Sequence, residues 1–237
     1  MERDAQLDLN AQDVHVWSVS MDSVGSPGRL TDFLSPDELS RAGGFHADRD
    51  RRRFIIGRGA LRSVLSRYLG VPPAALEFRY GPHGKPALSL EPGKRDLRFS
   101  VSHCRDRALY AVAQSRDVGI DVECVRADIP AEAIAARFFS AHETAGLRTL
   151  PPADRPRAFF RLWTRKEAFL KAQGTGLLTS LRDFAVSWDA SARLLWTGGD
   201  PSAASRWRLE DVCAGADHAA AVAAEGTNWV LRRWEWP

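Results

Sequence analysis

Lysine is scarce in this 237-residue chain: Lys85, Lys94, Lys166 and Lys171 are the four, against 29 arginines. Cysteine is scarcer still. Cys104, Cys124 and Cys213 lie 20 and 89 residues apart, which makes neither a disulfide framework nor a CxxC metal or redox pair, so all three are read as reduced thiols. No apolar run reaches the roughly 18 to 20 residues of a membrane span, and the opening MERDAQLDLN lacks the basic-then-apolar pattern of a secretion signal. The expectation is a soluble, cytoplasmic chain. No P-loop, GxGxxG, HExxH or GxSxG string occurs, which removes the main support for the common nucleotide folds, the zinc proteases and the serine-hydrolase elbow. The net charge of +3 argues only weakly for an anionic partner.

Helix signals are strong in what is present. Ser35, Pro36 and Glu38 form a capping box ahead of a helix that Gly43 and Gly44 end. From Asp48 to Tyr68 apolar positions recur at helical spacing, and Gly70 stops the run. A strand from Leu76 to Tyr80 leads into the turn Gly81 to Pro86, and three short strands follow over Leu97 to Ser102, Arg107 to Gln114 and Val118 to Val125. Ser140 and Glu143 make a second capping box, and Asp154 with Pro156 opens a long helix ended by Gly174. The remainder reads as strands of an antiparallel sheet: Arg182 to Trp188, Trp207 to Val212, His218 to Ala224 and Asn228 to Trp236. Helices and strands without strict βαβ alternation give an α+β class, with halves meeting near residue 115.

Five constellations carry chemistry. On a strand, Val118 to Cys124 sends Ile120, Val122 and Cys124 to one face and Gly119, Asp121 and Glu123 to the other. The two neighbouring carboxylates repel, and either water or a cation must relieve them: the face is a solvated edge or an oxygen-only site suited to Mg²⁺. Glu167 and Lys171 stand one helical turn apart with Trp163 a turn earlier; they form a surface ion pair or, with two of the four lysines gathered on an apolar helix, a charge-handling surface. Glu167 would then complete the metal set with Lys171 on a phosphate oxygen. Arg41 to Tyr68 carries eight arginines against two aspartates, a face for a small ligand's phosphates, for nucleic acid, or simply for solvent. Gly84, Lys85 and Pro86 form a turn that a ligand can approach closely. Finally, His103 sits at a strand end beside Ser102, placed to donate to an anion. Its neighbour Cys104 points to the opposite strand face, which leaves His103 badly placed to activate a thiol.

In order, GKP at 84–86, FSVSH at 99–103, VGIDVE at 118–123, RFFSAHE at 137–143 and LWTRKEAFLKAQGTGL at 162–177 resemble the 4′-phosphopantetheinyl transferases, best the large single-chain type that activates peptide and polyketide synthases. The resemblance implies two similar α+β halves about a pseudo-twofold axis, residues 1–115 with the basic helix and 116–237 with the acidic strand and KEAFLK helix, and a ligand cleft between them. It implies Mg²⁺ on Asp121, Glu123 and Glu167, with Glu167 either a ligand alone or also the base, and Lys171 offsetting charge on the pyrophosphate of coenzyme A. Arg53, Lys85, Pro86, Ser102 and His103 would hold the adenine and 3′-phosphate. The implied reaction moves phosphopantetheine to a serine of an apo acyl or peptidyl carrier protein and releases adenosine 3′,5′-bisphosphate. The implied enzyme is a monomer that needs neither nucleic acid nor a membrane; the alternative is a nucleic-acid-binding module built on the arginine helix. The chain departs from the family pattern at Ser100, where asparagine is common, and at Glu38, where some members carry a lysine and Arg41 is the nearer cation here.

Overall fold

The computed structural model describes residues 7–82, 84–89, 96–176, 179–199 and 202–237; Lys94, and Leu177 of the last motif, lie outside them. The elements run β1 (Asp13–Ser20), α1 (Pro36–Gly43), α2 (Asp48–Leu69), β2 (Phe78–Tyr80), β3 (Pro86–Leu88), β4 (Leu97–Cys104), β5 (Arg107–Gln114) and β6 (Val118–Cys124). Then follow α3 (Ala131–Phe138), α4 (Ala141–Thr149), α5 (Arg155–Gln173), β7 (Phe184–Val186), β8 (Leu194–Thr197), α6 (Ala203–Arg206), β9 (Trp207–Asp211), β10 (His218–Glu225) and β11 (Val230–Glu235). Both capping boxes form, at Ser35/Glu38 and Ser140/Glu143. Gly70 and Gly174 end the two long helices at φ 67° and 70°, a left-handed conformation in which a Cβ is strained.

Four layers stack as helix, sheet, sheet, helix. The first sheet, ordered β11-β1-β5-β4, packs one face on α2 through Trp17, Val19, Phe99, Tyr110 and Val112. The second, β6-β10-β9, packs one face on α5 through Leu209, Ala221 and Ala223. The remaining faces meet in a shared core, where Val14, Val16, Leu109 and Ala111 of the first sheet join Ile120, Val122, Ala220 and Val222 of the second. Each half thus has one long helix on one small sheet, the α+β arrangement of two like halves. Burying both faces of both sheets is the main stabilisation, at roughly 25 cal/mol per Å² of apolar surface removed from water.

Three features differ from the sequence-based reading. β1 was not among the strands expected, although its three valines and tryptophan favour a strand, and it is the strand around which the first sheet is built. The C-terminal strands do not form one antiparallel sheet: β7 pairs with β8 in a separate two-stranded sheet, and the last strand, β11, joins neither this nor β6-β10-β9. It runs parallel to β1, pairing Asp13 with Val230 through Ser18 with Glu235, so chain from the second half completes the sheet of the first. The cysteines are not all reduced: Cys104 and Cys124 are joined as a disulfide across the two halves, and Cys213 is free and exposed. Sequence spacing could not show this pairing, because the ends of β4 and β6 are brought together only by sheet packing. Among the described residues no helix is long and apolar enough to cross a membrane.

Candidate active site

The seam between the halves runs along β4 and β6. In β4, Phe99 and Val101 pack toward α2, so alternation sends Ser100, Ser102 and Cys104 the other way. β6 is the edge of its sheet, and an edge strand leaves alternate N–H groups without a strand partner. The β4 side chains take them up in sequence. Ser100 Oγ accepts from the Ile120 amide at 3.2 Å, Ser102 Oγ from Val122 at 3.2 Å, and Cys104 Sγ from Cys124 at 3.0 Å. The Asp121/Glu123 face is therefore no wet edge. It lies against α5 so closely that a Cβ on Gly119 would come within 2.0 Å of the Ala168 carbonyl oxygen and 2.3 Å of the Ala172 nitrogen.

This close packing brings the acidic strand and the KEAFLK helix together. Asp121 is 4% exposed; its Oδ1 accepts from Ser102 Oγ at 2.8 Å and from Lys171 Nζ at 2.7 Å. Its Oδ2 is buried with no hydrogen-bond partner among the described residues. Asp121, Glu123, Glu167, Lys171, Ser102, His103 and Trp163 line one cavity of about 410 Å³. Loss of hydration, then the charge of Asp121, pushes the Glu167 and Glu123 carboxyls above the ordinary glutamate range. Loss of hydration, then the Lys171 and Arg41 cations, holds the His103 imidazole below its ordinary value.

Two further cavities share residues with this one. Lys85, Pro86, Ser100, Glu167 and Lys171 border a space of about 270 Å³. His103, Arg41, Arg53, Arg58 and Arg105 line another of about 520 Å³, floored by Phe54 and Tyr110. All nine site residues expected from the sequence thus border adjoining cavities. Two of them have partners outside the acidic cluster. Arg53 Nε donates to Asp22 Oδ1 at 2.9 Å, and the Lys85 ammonium reaches across to backbone carbonyls of the second half. Arg105 went unremarked in the sequence; at φ 52° it turns the β4–β5 hairpin, a conformation that no sequence pattern marks for arginine.

The arginine helix α2 is mostly committed internally. Arg62, 1% exposed, donates to Glu38 at 2.6 Å and to the Pro73 and Leu76 carbonyls at 2.9 Å; Arg58 also pairs with Glu38, and Arg51 with Asp48. Glu38 thus ties α1 to α2, which accounts for an acid where a phosphate-binding cation was an alternative.

A family described as the 4′-phosphopantetheinyl transferase superfamily matches residues 117–223, and one described as 4′-phosphopantetheinyl transferase, N-terminal, matches residues 23–115. The 4′-phosphopantetheinyl transferase HetI of Nostoc sp. is 38% identical over 97% of this chain and 95% of its own. The 4′-phosphopantetheinyl transferase Sfp of Bacillus subtilis is 32% identical over 67% of this chain and 68% of its own. Among solved structures, the holo-[acyl-carrier-protein] synthase of Thermotoga maritima is 26% identical with a TM-score of 0.38, covering 46% of this chain and 62% of its own. With the acidic strand, the KEAFLK helix and the seam between them in place, the chain belongs to the 4′-phosphopantetheinyl transferase family.

Proposed function

We propose that the protein moves the 4′-phosphopantetheine group of coenzyme A to a serine hydroxyl of an apo acyl or peptidyl carrier protein, as a cytoplasmic monomer, with Mg²⁺ on Asp121, Glu123 and Glu167. The carrying observation is Asp121, a buried carboxylate with one oxygen held twice and the other without a partner, sharing a cavity with two further carboxylates. Among the described residues no three such side chains are drawn to chelating distance. The donor set nonetheless fits a hard divalent ion: all oxygen, mutually repelling, with one buried acceptor unsatisfied. When bound, such an ion neutralises diphosphate charge.

The chain's own residues account for the rest. The serine oxygen of the carrier attacks the β-phosphorus, and the bond from that phosphorus to the bridging oxygen breaks, releasing adenosine 3′,5′-bisphosphate. Glu167, whose carboxyl sits above the ordinary range, takes the serine proton. Lys171 Nζ supplies a positive charge beside the breaking bond, and Arg41 and Arg53 supply a cationic wall for the 3′-phosphate, with the His103 imidazole beside them. Lys85 and Pro86 offer the turn backbone to the adenine. A nucleic-acid module has less support, since Arg52, Arg53, Arg58 and Arg62 contact other parts of the protein and Arg51 pairs with Asp48 of its own helix.

Incubation with coenzyme A, Mg²⁺ and a panel of apo carrier proteins tests the proposal by intact mass. The expected result is a gain of one phosphopantetheinyl group on a carrier. No gain on any carrier, with coenzyme A binding also absent, overturns it.

A further inference from the structure

Ser102 is held at both ends. Its Oγ accepts the Val122 amide hydrogen at 3.2 Å and donates to Asp121 Oδ1 at 2.8 Å, in a position only 7% exposed. A hydroxyl carries a single hydrogen, and a phosphate oxygen is reached only by donating it. With that hydrogen on Asp121, the Ser102 side chain has nothing left to give a coenzyme A phosphate, the role that the family resemblance implied for it. What it does have is a fixed relation to the carboxylate. Lys171 occupies the same Oδ1, so the two donors together leave Oδ2 as the unpartnered oxygen.

We propose that Ser102 is the positioning residue of the acidic strand: anchored by the Val122 amide, its hydroxyl fixes the rotation of the Asp121 carboxylate and presents Oδ2 to a divalent cation. Donors behind a metal-ligating carboxylate orient it and raise affinity, and their loss costs about 10- to 100-fold in metal binding. The neighbouring rung supplies an internal control. Ser100 also accepts a β6 amide, but among the described residues its hydroxyl donates to no carboxylate. Ser100→Ala therefore removes a seam contact without touching Asp121. The proposal rests on the metal reading above.

The test is a titration of the full-length protein with Mn²⁺, free ion being read by electron paramagnetic resonance, with the KM for coenzyme A measured alongside. Ser102→Ala should weaken Mn²⁺ binding by about 10- to 100-fold, Ser102→Thr should restore it, and Ser100→Ala should keep wild-type affinity despite lower thermal stability. If Ser102→Ala fails to fold, Ser102→Cys keeps the volume with a weaker donor and should show the same direction. Wild-type Mn²⁺ affinity in Ser102→Ala, or in Ser102→Cys where the alanine variant does not fold, overturns the proposal whatever the KM for coenzyme A, and a raised KM there would return Ser102 to coenzyme A binding; equal weakening by Ser100→Ala overturns it too. A wild-type protein that neither binds nor needs a divalent cation overturns the metal reading itself, which is a separate outcome.

Discussion

The side chain of Lys85 donates to the backbone carbonyl of Lys171 at 2.5 Å, and the same ammonium lies 3.2 Å from the Ala172 carbonyl and 3.3 Å from that of Val118. A turn of the first half thereby caps the C-terminal end of α5, where carbonyls lack helical partners and the helix dipole is negative. Burial pulls the ammonium below the ordinary lysine range, yet these acceptors leave it a hydrogen-bonded cation in a half-buried place. Lys85→Met should lower unfolding stability by about 1.5 to 3 kcal/mol, the range for hydrogen bonds to charged groups. It should also weaken coenzyme A and its 3′-dephospho form by the same factor. A selective loss for the 3′-phosphorylated form would mean that Lys85 contacts that phosphate.

Lys171 itself lies in the last turn of the same helix, with its ammonium on Asp121. On the proposed function, Lys171→Ala should cut kcat by roughly 10²- to 10³-fold, as removal of a charge-stabilising donor does, with little change in KM for coenzyme A. Steady-state kinetics with a fixed apo carrier reads this directly. An effect confined to KM would assign the lysine to binding alone.

Gly119 separates β6 from α5 by less than a side chain. Gly119→Ala should cost about 3 kcal/mol, the upper part of the usual overpacking range, because the obstructing atoms are helix backbone and cannot rotate away. Urea denaturation monitored by circular dichroism would show the midpoint shift. An unshifted midpoint would mean that the helix slides freely on the strand.

Behind α5, Lys166 and Glu143 form a fully buried ion pair, with Nζ 2.6 Å and 2.8 Å from the two carboxylate oxygens and 2.7 Å from the Phe184 carbonyl. Lys166→Met should destabilise by about 3 to 5 kcal/mol, since it strands a buried charge. Adding Glu143→Gln, which keeps an acceptor for the Val186 amide, should recover a large part of the loss. A double variant no better than the single one would show that the charge of Glu143 was not the source of the damage.

Acid should weaken the fold through His15. The His15 Nδ1 is hydrogen-bonded to the Tyr68 hydroxyl at 2.7 Å, and that hydroxyl also accepts from the Trp17 indole at 2.8 Å. Burial takes this imidazole from 6.5 down to about 4. A lowered folded value means the unfolded chain binds the proton first. Stability is therefore complete above pH 6.5 and is lost as pH falls toward 4, by about 3 kcal/mol in all. His15→Gln should flatten that slope by one proton in denaturation curves taken between these limits. An unchanged slope would place the titration elsewhere.

How much of this was legible in the chain follows the range of each interaction. Ser35/Glu38, Ser140/Glu143, Gly70 and Gly174 close or cap through atoms within a few residues, so the helix limits could be read directly. Alternation along Val118 to Cys124 likewise placed Asp121 and Glu123 on one face, because a strand's period is two wherever it sits. Those local rules, with the ordered motifs, determined the α+β class, the family and the nine candidate residues.

The tertiary structure decided what those residues do. Whether the acidic face was wet depended on α5 closing over Gly119, and whether Ser102 and Lys85 were free to meet a ligand depended on acceptors 19 and 86 residues away. The Cys104–Cys124 bond and the parallel pairing of β11 with β1 have the same origin. Hydrogen-bond capacity is finite and is allotted between segments that meet only when the two sheets pack, so no window of sequence holds both partners.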